Sequence, residues 1–154
     1  MAYELPPLTP QLILGLTALA VLGYDTIDPD SRDRGVLAGL ATLGALLSLG
    51  VAAFFITEGV GFEEPFTMFE EQFVVDGMSL FLSFLVAAVT AMVALASFDY
   101  LEGHDYQGEY YSLLLFAATG MSLMASANSL ATAFIALELA SLPSYALLAF
   151  LKDN

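Results

Sequence analysis

Five long apolar stretches, residues 8–24, 35–55, 74–98, 110–126 and 129–150, constrain this chain more than any other feature. A helix rises about 1.5 Å per residue, so roughly 20 apolar residues carry it across the hydrocarbon core of a bilayer. The second, third and fifth stretches meet that length, and the first and fourth lie near its lower limit. The sequence therefore predicts an all-α fold, a polytopic transmembrane helical bundle of about five spans, with no soluble domain. The fourth and fifth stretches meet at Asn128 with almost no connection, which requires a tight helical hairpin. Ala18-Leu19-Ala20 resembles a signal-peptide cleavage site, but Glu4, Pro6 and Pro7 stand where a signal peptide carries lysines. The first stretch is therefore read as a retained span.

The polar residues are just as one-sided. Among 154 residues there are 3 basic and 17 acidic side chains, a net charge of −14 that repels phosphate backbones and excludes nucleic acid as a partner. Only Glu138 of the 17 carboxylates sits well inside an apolar stretch; the others line the N-terminal arm, the connections at 25–34, 57–73 and 99–109, the edge position Asp76 and the tail. A surface this rich in carboxylates, with one lysine in the chain, is the pattern of a protein adapted to high salt, where screening relieves mutual repulsion. The absence of cysteine rules out thiolate metal sites and cysteine-ligated iron–sulfur clusters, and a single histidine cannot build a His-rich metal site.

Arg32, Arg34 and Lys152 supply the positive charge. Positive residues accumulate on the cytoplasmic side, and with five spans the first connection and the C-terminal tail share a side. The expected topology is a multi-pass protein of the cell membrane with its N-terminus outside. Tyr110 and Tyr111 beside Glu109, with Tyr100 across the connection, are expected in the aromatic belt at a membrane surface.

Glu138 is the position with the most chemical content. It is the tenth residue of a 22-residue stretch, close to the bilayer midplane. A charged acid there costs about 2.5–3.5 kcal/mol even on insertion scales, so it must face protein or water and be paired or protonated. Burial raises the proton affinity of such a group and a basic partner lowers it, which suits a site that alternately holds and releases a proton. Ser141 and Tyr145, three and seven positions on, bring two hydroxyls to the same helical face. Pro143 cannot donate to the Leu139 carbonyl and is expected to bend the helix just past the acid. The competing reading is a structural glutamate hydrogen-bonded across a helix pair.

Other polar positions have blander explanations. Asp76-Gly77-Met78-Ser79 opens the third stretch, where an aspartate caps free N–H groups. His104, among Glu102, Asp105 and Tyr106, reads as a solvated imidazole. Gly35 and Gly39 carry the spacing of a close helix contact, a weak signal in membrane helices. Met121 and Met124 read as packing residues. Nothing supplies a nucleophile with its base, a phosphate loop or a metal cluster.

Several segments resemble one family. They are Glu109-Tyr110-Tyr111-Ser112-Leu113-Leu114-Leu115, then Gly120-Met121, Ala125-Ser126-Ala127-Asn128 and Leu137-Glu138-Leu139-Ala140-Ser141-Leu142-Pro143-Ser144-Tyr145, with Val75-Asp76-Gly77-Met78-Ser79-Leu80-Phe81 upstream. Together they resemble subunit N of proton-pumping NADH:quinone oxidoreductase, respiratory complex I, over residues 73–150; the first two stretches match in hydropathy and order. The resemblance implies that Glu138 pairs with a lysine on a later helix and takes part in proton translocation coupled to quinone reduction. It also implies about fourteen spans built around two inverted five-helix repeats, of which this sequence would hold three leading helices and two helices of the first repeat. Lys152 corresponds to none of the family's lysines.

The expected role is thus a membrane-arm subunit of a complex-I-like assembly, truncated or split, with no catalytic redox site in this chain. No cofactor is expected here; quinone and the redox centres belong to other subunits. The expected partners are the other membrane subunits, the lipid bilayer and a chain supplying the missing helices. Two alternatives stand beside this reading: a subunit of a multisubunit sodium/proton antiporter, and a non-catalytic membrane scaffold.

Overall fold

The computed structural model describes residues 5–28 and 34–152, and Arg32 lies outside them. The described chain forms α1 (Thr9–Ile27), α2 (Arg34–Thr57), β1 (Phe66–Met68), β2 (Phe73–Val75), α3 (Gly77–Tyr100), α4 (Gln107–Ser126) and α5 (Leu130–Lys152). Four of these helices, α1, α2, α3 and α5, are long and apolar enough to cross a membrane. Their outward faces carry large apolar side chains such as Leu43, Leu47, Met92, Leu95 and Leu148. That is the arrangement a hydrocarbon solvent requires, because the backbone is satisfied within each helix and apolar surface costs nothing against lipid.

The fourth helix differs, and for a physical reason. It starts three residues earlier than the apolar pattern suggests and reaches 20 residues, a full bilayer crossing in length. It is nevertheless less apolar than the rest, with Gln107, Ser112, Thr119, Ser122 and Ser126 among its buried residues. These polar groups are tolerable because α1, α3 and α5 all pack on α4, which takes the centre of the bundle. Hydropathy measures what a helix shows to lipid, and α4 shows little.

The helices alternate in direction. Leu8 at the start of α1, Phe55 at the end of α2 and Leu80 at the start of α3 cluster at one end with Val60 and Val75. Tyr24, Leu37, Leu101, Tyr110 and Phe150 belong to the larger cluster, which runs to the other end. There Tyr110 and Tyr111 are buried instead of forming an aromatic belt. The Tyr110 hydroxyl lies 2.8 Å from Ser97 Oγ on α3, so its polar tip is satisfied inside the bundle. Tyr100 is exposed as expected.

The connection between α2 and α3 holds a small antiparallel hairpin that an all-α reading does not foresee, with Phe66 opposite Val75, Thr67 opposite Val74 and Met68 opposite Phe73. Its turn passes through Phe69, Glu70 and Glu71, all at positive φ. Non-glycine residues there cost on the order of 1 kcal/mol or more each and need external support. The α4–α5 corner provides it. Asn128 N donates to the Gln72 carbonyl at 2.9 Å, and Asn128 Nδ2 donates to the Glu71 carbonyl at 2.8 Å. Ser129 Oγ donates to Gln72 Oε1 at 2.6 Å, and Thr132 Oγ1 donates to the Gln72 carbonyl at 3.1 Å. The hairpin thereby straps the tight corner from which α5 departs.

Candidate functional site

Glu138 stands on α5, whose contacts with other helices are made almost wholly with α4. One face of α5 carries the buried residues Ala136, Ala140 and Pro143 and packs on α4. The approach is very close: a β-carbon at Gly120 of α4 would fall 2.7 Å from the Leu139 carbonyl carbon and 2.9 Å from the Ala136 oxygen, and closer still to the Ala140 nitrogen. Residues advance about 100° around a helix, so Glu138, two positions from both Ala136 and Ala140, projects on the opposite side. Ser141 and Tyr145 follow it there. Glu138 and Ser141 are half-buried, and Tyr145 is 68% exposed. Phe134, Leu142 and Leu148 are exposed on the same outer half of the helix.

The three candidate residues therefore share a face but not a hydrogen bond. Among the described residues, none donates to the Glu138 carboxylate, and neither the Ser141 nor the Tyr145 hydroxyl is engaged. Lys152 on the same helix is 14 residues further on, about 21 Å along the axis, and is no partner. The α5 helix runs on through Pro143, and Ser144 Oγ donates to the Ala140 carbonyl at 2.6 Å beside it. An unpaired acid near the middle of an apolar helix, on a face that this bundle leaves uncovered, is an incomplete arrangement by any electrostatic accounting.

The secondary candidates have local roles. Asp76 Oδ1 accepts from Ser79 N at 2.8 Å and Ser79 Oγ accepts from Asp76 N at 2.9 Å, a reciprocal cap at the start of α3. His104 is half-buried and stacks on Tyr100 with ring centroids 6.2 Å apart, so it is less solvated than expected. Gly35 and Gly39 have open space around them, and their spacing serves no close contact among the described residues. Met121 and Met124 are both partly exposed; they are not core packing residues.

No family model matches the chain. Individual proteins do. The F(420)H(2) dehydrogenase subunit N of Methanosarcina mazei is 40% identical over 153 residues, 98% of this chain and 31% of the relative. The NADH-quinone oxidoreductase subunit N 2 of Koribacter versatilis is 37% identical over 91% of the chain and 29% of the relative. The NADH-quinone oxidoreductase subunit N of Thioalkalivibrio sulfidiphilus is 37% identical over 100% of the chain and 32% of the relative. Over its own length, the chain is a homologue of subunit N. It spans about a third of the length of these relatives. The likeness reaches α1 and α2, which in the sequence matched the subunit N pattern only by hydropathy and order. Long apolar helices and subunit N homologues together make this a multi-pass membrane protein.

Two features of the bundle escape sequence reasoning. Gly120, part of the subunit N-like pair Gly120-Met121, sets the α4–α5 distance at the level of Glu138. Gln11, a polar residue early in an apolar stretch, is 2% exposed and hydrogen-bonds to α3 and α4. A lone glutamine within a membrane helix was the available signal.

Proposed function

We propose that the chain contributes to proton translocation across the membrane arm of a complex-I-like assembly, driven by quinone reduction elsewhere in that assembly, and that Glu138 is its protonatable group. The observation that carries this reading is the placement of Glu138, half-buried and unpaired among the described residues, on the face of α5 turned away from α4. Helices from the part of subunit N that this sequence does not cover would close that face and bring the basic partner, whether they belong to the same polypeptide or to another. Ser141 and Tyr145 would then offer hydroxyls to a water-linked path.

The names of the relatives support a role apart from electron entry. One is a subunit of an F(420)H(2) dehydrogenase and others of NADH-quinone oxidoreductases, so the shared sequence accompanies different electron donors. Purification of the tagged chain from its native membrane under mild detergent is expected to recover quinone-reductase subunits in fixed ratio. Recovery of antiporter subunits with no redox-active protein would favour the sodium/proton antiporter instead.

The cell membrane is the proposed location, with the first connection cytoplasmic. Lys152 at the end of α5 and Arg34 at the start of α2 agree with that orientation. A cysteine at Asp28 should be protected from impermeant thiol reagents in intact cells and labelled after lysis, and one at Glu64 should behave in the opposite way. Both positions are exposed, and they lie at opposite ends of α2. Labelling of the Asp28→Cys protein from outside would invert the topology.

The acidic connections suit a high-salt environment. Removing salt from the purified protein is expected to lower its unfolding temperature steeply, as repulsion among carboxylates such as Glu63, Glu64, Glu70 and Glu71 loses its screening. An unfolding temperature unchanged by salt removal would reject halophilic adaptation.

A further inference from the structure

Inside the bundle, away from α5, three serines from two helices surround one glutamine. Gln11 Nε2 on α1 lies 3.1 Å from Ser83 Oγ on α3, 3.2 Å from Ser126 Oγ on α4 and 3.4 Å from the Ser122 carbonyl oxygen on α4. All four residues are at most 2% exposed. Gln11 Oε1 and Ser122 Oγ are buried with no hydrogen-bond partner.

The mismatch survives every assignment of the protons. An amide nitrogen carries two hydrogens and cannot serve three acceptors. With the amide turned over, the Ser83 and Ser126 hydroxyls can donate to its oxygen, but its two N–H groups then point where Oε1 now lies, without acceptors. Either way, one end of the amide and the Ser122 hydroxyl remain unmatched. Nor do these serines take the local escape open to them. Thr17, Thr90, Ser97, Thr119 and Ser144 each donate to the carbonyl four residues back. Ser83, Ser122 and Ser126 make no such bond among the described residues.

We propose that a buried water molecule is held between the free end of the Gln11 amide and Ser122 Oγ. Water carries two donors and two acceptors, so it matches the amide in either orientation and the serine hydroxyl in either role. It completes a polar joint that fastens α1 to α3 and α4. Leucine or alanine at these positions would leave packing alone to join the helices, since lipid offers no hydrophobic drive and interhelical hydrogen bonds add to van der Waals contact. The site is independent of Glu138 and of the role proposed for it.

The test is a map of the native membrane assembly in lipid nanodiscs, at a resolution that shows ordered buried waters. A peak is expected within hydrogen-bonding distance of both the Gln11 amide and Ser122 Oγ. Ser122→Ala, which leaves the apolar packing in place, is expected to lose that peak while α1, α3 and α4 keep their positions. Absence of the peak in the wild-type map where other buried waters are visible, with Ser122 Oγ turned to the Ala118 carbonyl, would overturn the proposal. A peak of full occupancy persisting in the Ser122→Ala protein would overturn it equally.

Discussion

Replacing Gly120 with valine is expected to force α4 and α5 apart and to destabilise the folded protein by about 3 kcal/mol or more, the upper range for overpacking. The atoms that a side chain would meet are the Ala136 oxygen, the Leu139 carbonyl carbon and the Ala140 nitrogen. All are backbone, so no rotamer change can make room and the whole helix has to move. In lipid, close backbone approach is a main source of helix association, which leaves little else to hold α5 in place. The displaced stretch also carries Glu138, so the substitution should impair assembly with any helix that covers the acid's face. Gly23→Ala is the control: a β-carbon there meets nothing within 4 Å, and alanine is the better helix former by about 1 kcal/mol. Thermal unfolding in nanodiscs should show a large loss for Gly120→Val and no loss for Gly23→Ala. Equal unfolding temperatures for the two would show that the α4–α5 contact can relax.

The bundle was largely legible because lipid exposure writes itself into composition. Helices α2, α3 and α5 show broad apolar faces to solvent hydrocarbon, and their stretches are visible as unbroken runs. The cap at Asp76 was legible too, because it depends on residues three positions apart. What escaped reading were effects of neighbours distant in the chain. The central place of α4 is set by three helices packing on it, so its serines and Gln107 look like weakness in a span when read alone. Burial of Tyr110 and Tyr111 turns on Ser97 and the α1 and α5 ends, which local sequence does not reveal. The hairpin turn at Phe69–Glu71 takes conformations that its residues do not prefer, and only the contacts of Asn128, Ser129 and Thr132 account for it. At the site, the shared face of Glu138, Ser141 and Tyr145 followed from helical spacing. The direction of that face, away from α4, could not follow from spacing, because it depends on Gly120 choosing which side of α5 is packed.

The central claim is that Glu138 exchanges protons, and charge-preserving and charge-removing substitutions separate this from a structural role. Glutamine keeps the size of glutamate and its capacity to hydrogen-bond but cannot take up or release a proton at this site. Aspartate keeps the acid on a side chain one methylene shorter. In the complete assembly reconstituted into vesicles, Glu138→Gln is expected to assemble at near wild-type levels yet lower quinone-coupled proton pumping severely, while Glu138→Asp retains more of it. The isolated chain is expected to pump nothing with any residue at position 138, since the basic partner would come from a helix outside this sequence. The decisive measurement is the number of protons moved per electron delivered to quinone in assembled Glu138→Gln vesicles. A clear fall in that ratio with the complex intact is the predicted result, and a wild-type ratio would contradict an essential proton-carrying role for Glu138.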